Sequence, residues 1–136
     1  MVEIADANFK AYLLENFDTN KDGNLSLAET KAIKSIDCSG KDIKSVEGIE
    51  KMPNLEYLNC SQNKLEILDL TQNNKLEKLV CTENVAQMNI LIGMKSPLKN
   101  KGLQTPNSPQ LASFPLPYDE SKVSCDKDVV FQLNFN

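Results

Sequence analysis

The chain has 136 residues, with 15 basic against 19 acidic side chains, no His and a net charge of −4; every base is lysine. Without His or Arg there is no imidazole base, no Ser-His or Cys-His nucleophile pair, no His-ligated zinc and no bidentate phosphate clamp. The acidic excess argues against nucleic acid, and an enzyme is not expected.

Residues 1–34 read as helix, loop, helix. Asp6 is a candidate N-cap, and Phe9, Tyr12, Leu13 and Phe17 recur at helical spacing behind it. A second helix is expected over 27–34, with Ser26 and Glu29 at capping-box spacing. Between them, Asp18 to Glu29 matches D-x-[DN]-x-[DN]-G-x5-E at all twelve places.

A hard divalent cation takes six to eight oxygens at about 2.3–2.6 Å. Asp18, Asn20 and Asp22 supply side-chain oxygens from alternate positions, and Gly23 permits the sharp turn. Asn24 offers its carbonyl, Ser26 a place for a water, and Glu29 a carboxylate that closes the loop from the next helix. Leu25 falls at the apolar anchor position. A structural Ca2+ locking helix to helix is therefore expected. The bland alternative is an Asp/Asn/Gly-rich surface turn, but its carboxylates would repel one another without a cation.

Residues 35–85 change period. Leu55, Leu58, Cys60, Asn63 and Leu65 are echoed 21 residues later by Leu76, Leu79, Cys81 and Asn84. They are preceded 22 residues earlier by Ile33, Ile36, Cys38 and Ile43. This is the L-x-x-L-x-C-x-x-N-x-L pattern of a leucine-rich repeat. The first rung is degenerate, with Lys41 in place of Asn. The pattern stops after Asn84, where Ala86 and Asn89 stand in place of Leu65 and Leu68.

The expected fold is an α/β-type solenoid: about three rungs with a parallel sheet, a helical EF-hand-like N-cap, and an irregular or β C-terminal cap. Cys38, Cys60 and Cys81 then stack as small buried apolar residues. A disulfide between rungs and a thiolate metal site are the alternatives, disfavoured by poorly matched Cβ vectors and by a fourth ligand that only Cys125 could give. Cys125 lies outside the repeat. Asn63 and Asn84 are expected to bond the backbone of the adjacent rung.

The residues between the buried ones face the other side of the sheet: Ser35, Asp37 and Ser39, then Tyr57, Asn59 and Ser61, then Lys78, Val80 and Thr82. In solenoids this concave face is the usual binding surface. Tyr57, Asn59, Ser61, Lys78, Val80 and Thr82 are its candidate partner contacts, with Tyr57 beside Val80 as the main patch. An ordinary solvated face is the competing reading.

Residues 86–136 form the expected C-terminal capping segment of what is overall one domain. Met88, Ile90 and Ile92 suggest a strand, 95–121 holds five of the six prolines and reads as an extended loop, and Val123 to Asn134 suggests a last strand. Asp119 and Glu120 are adjacent carboxylates on which an enzyme hypothesis would rest, with a solvated pair as the plainer reading. No apolar run approaches the roughly 18 residues that span a membrane, and Met1-Val2-Glu3 does not open a signal peptide. Composition leaves two compartments open: a cytoplasmic chain, or an exported one whose signal is not included here.

Residues Ile4 to Glu29, the stretch Ile33 to Leu58, and within it the connector from Ser45 to Leu55 (SVEGIEKMPNL) resemble the N-terminal cap and first rungs of internalin-type bacterial leucine-rich repeat proteins. The resemblance covers about residues 4–84. It implies a cap shielding the first rung, a curved solenoid, and export to the cell surface or medium for adhesion or recognition. In that light Asp18, Asn20, Asp22, Asn24, Ser26 and Glu29 carry the ligand roles of a complete EF-hand-like loop. The expected function is a calcium-stabilised recognition module for a protein or glycan, acting as a monomer without nucleic acid. The alternative is a calcium-dependent docking module that uses the helix-loop-helix itself as its interface.

Overall fold

The computed structural model describes residues 2–93, 95–98, 110, 111, 119, 121–126 and 129–134. Helix α1 spans Ala7–Phe17 and starts where expected, with Asp6 accepting from the N–H groups of Asn8 and Phe9. Helix α2, Leu27–Lys31, is shorter than the sequence suggests. It opens on a complete capping box, in which the Ser26 hydroxyl accepts from Glu29 N–H and the Glu29 carboxylate accepts from Ser26 N–H.

Two sheets follow. The first stacks β1 (Ser35–Asp37), β2 (Tyr57–Asn59), β4 (Lys78–Val80) and β7 (Val123–Ser124), each parallel to the next. The second stacks β3 (Ile67–Leu70), β5 (Asn89–Gly93) and β8 (Val130–Asn134) in parallel, with β6 (Gln110–Leu111) antiparallel on β8. Burial alternates along the strands as the period-two pattern requires. Ile36, Leu58, Leu79 and Val123 form one buried layer across the first sheet. Leu68 with Ile90, and Leu70 with Ile92, continue it in the second. One apolar cluster runs from Val2 to Val129.

Two expectations are corrected here. The repeat does not end at Asn84: Ile90 lies beside Leu68 one residue later than the 21-residue spacing predicts, with Gln87 in the left-handed region just before it. The tail also adds to the three expected rungs. Residues 123–124 form a fourth strand of the first sheet, and Cys125 follows Ser124 as Cys81 follows its register partner Val80. Cys125 therefore continues the cysteine column rather than standing apart from it. The long connection that delivers this strand breaks the spacing, so the period alone does not reveal it.

Asparagines fasten the rungs. Asn63 donates to the carbonyls of Cys38, Cys60 and Ser61 and accepts from the N–H groups of Lys41 and Ile43. Asn84 repeats this one rung on, donating to Cys60, Cys81 and Thr82 and accepting from Leu65. Buried Asn73 donates to Ile49 and Met52 on the other side of the coil. Each satisfies backbone groups that the turns leave without ladder partners.

The N-terminal segment closes the open end. Phe9 and Leu13 are fully buried, and the Tyr12 phenol accepts from Asp37 N–H on the edge strand β1 at 2.9 Å. An open strand edge invites pairing with another chain, and Tyr12 occupies part of it. Asp6 also accepts from Lys44 N–H, tying helix start to first rung. Gly48, at φ +111°, lets residues 3–4 cross over it; a Cβ there would collide with Ile4 Cδ1.

Candidate metal loop and sheet surface

The loop between the helices is built by its own side chains. Asp18 accepts from Gly23 N–H, Asn20 from Asp22 N–H, and Asp22 from Asn24 N–H. Lys21 and Gly23 take positive φ, which turns the chain back on itself. Leu25 is buried as the anchor, and its carbonyl accepts from Val2 N–H.

This folding gathers Asp18, Asp22 and Glu29, whose carboxylates each place one oxygen within 4.8 Å of the others. Two oxygens on one calcium, each at about 2.3–2.6 Å, stand no more than about 5 Å apart, so the spacing fits a shared cation. Asp18 Oδ1 is buried with no hydrogen-bond partner. A buried carboxylate oxygen left in that state is costly, and a hard cation would satisfy it. The donor set is all oxygen, which suits calcium better than a softer metal.

Glu29 serves two purposes. Oε1 accepts from Ser26 N–H, and Oε2 from the N–H and hydroxyl of Thr19. The Ser26 N–H above all, with the Thr19 groups, holds its carboxyl below the usual range. Oε1 keeps a further lone pair, whereas Thr19 already fills both of Oε2, so the acceptor capacity left for a cation lies on Oε1. Ser26 caps α2, as its spacing from Glu29 predicts, and its hydroxyl accepts from Glu29 N–H.

The first sheet brings most of the predicted surface residues together. Ser35, Tyr57 and Lys78 form one row across the strands, and Asp37, Asn59, Val80 and Ser124 form the next. Tyr57 thus has Lys78 as its direct neighbour, while Val80 sits opposite Asn59. Ser61 is 9% exposed, and its hydroxyl donates to Asn59 Oδ1 at 2.7 Å. Asp37 and Ser39 repeat that arrangement one rung earlier. Thr82 is half-buried, and its carbonyl accepts from Gln62 N–H. Ser124 is the face residue that sequence reading missed. The apolar-x-Cys signature shared by 36–38, 58–60, 79–81 and 123–125 was the signal for it.

The cysteine column is a core feature. Cys38, Cys60 and Cys81 are fully buried thiols and Cys125 is half-buried, with no disulfide among them. Burial pushes the Cys38 thiol up to about 12, and those of Cys60 and Cys81 upward as well. Asp119 Oδ1 is engaged by the N–H and hydroxyl of Ser121, while Glu120 lies outside the described residues. Among the described residues, no helix is long and apolar enough to cross a membrane.

No family model matches the chain. Over 68 residues, half of this chain, the sequence is 33% identical to internalin J of Listeria monocytogenes serotype 4b (strain F2365), and the match spans 7% of that protein. The fold resembles two structures of the CBM51-2 and INT domains from Clostridium perfringens ZmpB, one of them in complex with GlcNAc. Their TM-scores are 0.55 and 0.54 at 22% identity, over 89% and 90% of this chain and 23% and 24% of those chains. The chain therefore spans a small part of the proteins it resembles. The internalin J match supports the internalin-type resemblance over half the chain, and the ZmpB likeness is one of fold.

Proposed function

We propose that the chain is a non-enzymatic recognition or adhesion module of a bacterial cell surface, with a calcium-held cap and a binding face on its first sheet. The observation that carries this reading is the paired rows of that sheet: Ser35, Tyr57 and Lys78, then Asp37, Asn59, Val80 and Ser124. They form a ridged surface of mixed chemistry with an aromatic ring, an ammonium, an amide and a carboxylate within a few strands. Such a face suits a protein or a glycan, since aromatic faces and amides serve both. One of the ZmpB structures of similar fold was determined with GlcNAc, an example of the glycan class.

Asp18, Asn20, Asp22, Asn24 and Glu29 would hold the ion, Asn24 through its carbonyl, and Ser26 would stay on the helix. The ion supplies positive charge that relieves the carboxylate cluster and fixes α2 against the loop. The apolar residues of α1 are spent on the first rung, which favours a shielding cap over a docking interface.

The test is a glycan array plus a pull-down from extracellular material, run with calcium and with chelator. Tyr57→Ala and Lys78→Ala should abolish whatever the wild type retains. Retention unchanged by both variants would remove the first sheet from the reading.

A further inference from the structure

We infer a second recognition surface, away from the first sheet, that takes a cationic peptide segment with apolar side chains at its two ends. Its floor is the turn around the 3-10 segment Ile49–Lys51. Two cavities adjoin there, of about 430 Å3 and 460 Å3, and both are lined by Glu47 and Glu50. One runs toward Ile67 and Asp69 on β3, the other toward Leu27 and Glu3 at the cap.

Two observations select this groove. Leu27 and Ile67, 52% and 57% exposed, are the exposed large hydrophobic side chains among the described residues, and each lines one of the two cavities. An apolar side chain left in water at either end of one groove is what a two-point anchor requires. Half-buried Leu91, the register partner of Asp69, extends the apolar surface behind Ile67.

The charge between the anchors is one-sided. Glu3, Glu47, Glu50 and Asp69 line the cavities, against Lys51. Glu50 Oε1 accepts from Gly48 N–H and Asp69 Oδ1 from Thr71, so Glu47 and Glu3 are the carboxylates with no such tether to hold them back from a ligand. Acidic walls around a groove favour a cationic occupant and repel an anionic one. A segment with Lys or Arg between two apolar residues meets both demands. The reading is independent of the one for the first sheet.

The probe is a set of capped synthetic peptides in which two leucines bracket a lysine run of varied length, titrated into the 136-residue chain and followed by backbone amide NMR shifts. At least one length should bind saturably, move the signals of Leu27, Glu47, Glu50 and Ile67, and weaken as salt rises. Glu47→Gln and Ile67→Asn should each weaken it about fivefold or more, while Tyr57→Ala leaves it unchanged. Should Ile67→Asn fail to fold, Glu47→Gln alone carries the comparison. Equal binding of the matching leucine-glutamate peptides, shifts confined to the first sheet, wild-type binding by the groove variants, or no binding at any length would each overturn the assignment.

Discussion

At the scale of single residues, buried amides and thiols decide the most. Asn63 is 7% exposed and makes five hydrogen bonds to backbone groups of two rungs. Replacing it with alanine strands several of those groups at about 1–3 kcal/mol each where water cannot reach them. Asn63→Ala is therefore expected to cost about 3 kcal/mol or more, read as a lower urea midpoint at unchanged slope. The thiols give a second check. A thiol reacts as its thiolate, and burial suppresses that form at Cys38, Cys60 and Cys81. Under native conditions a thiol reagent should modify Cys125 first and the other three only at the rate of unfolding.

At the scale of elements, the helix-loop-helix was legible residue by residue. Its information is local: an N-cap at Asp6, a capping box at Ser26 and Glu29, an anchor at Leu25, and carboxylates at alternate positions. The rungs were legible where the spacing held. Legibility failed where the chain spends residues between rungs. Strands were expected around Ile90 and over Val123 to Asn134, but one extra residue before Ile90 and the long connection before Val123 hid that they continue the rungs, and the single strand expected at the end is two, β7 and β8, in different sheets. The register was legible too: the 21-residue echo of Leu58 at Leu79 sets Tyr57 against Lys78, so naming Tyr57 beside Val80 as the main patch overlooked what the repeat itself carried. Ser61 has little exposure because its N–H and hydroxyl both bond the Asn59 side chain, a contact that alternation alone does not predict.

Asp6 makes the cap sensitive to acid. Burial raises its pKa, but N–H donors from Phe9, Lys44, Asn8 and Ser45 outweigh that and hold it below the ordinary 3.8. The folded value is depressed, so this contribution is complete above the unfolded value and lost as pH falls through the folded one. The urea midpoint should drop as pH is lowered below about 4. Asp6→Asn keeps an N-cap without the ionisation and should show a shallower drop.

At the scale of the molecule, four strands of one sheet and three parallel strands of the other share a continuous core, with a helical cap over one edge. The last rung carries none of the repeat's leucine or asparagine signature. It joins because Val123 and Val129 supply buried side chains and its backbone supplies the ladder. The recognition reading depends on this architecture being held rigid from the cap onward, and the ion in the loop is its central claim. The decisive measurement is thermal unfolding of the wild type and of Asp18→Asn, each with about 10 mM calcium and with chelator. A lone loop with a dissociation constant of about 10⁻⁴–10⁻³ M would gain about 1.4–2.7 kcal/mol at that concentration. The wild-type midpoint should then rise by about 4–10 °C, and that of Asp18→Asn by much less. Equal wild-type midpoints with calcium and with chelator would contradict a calcium-held cap.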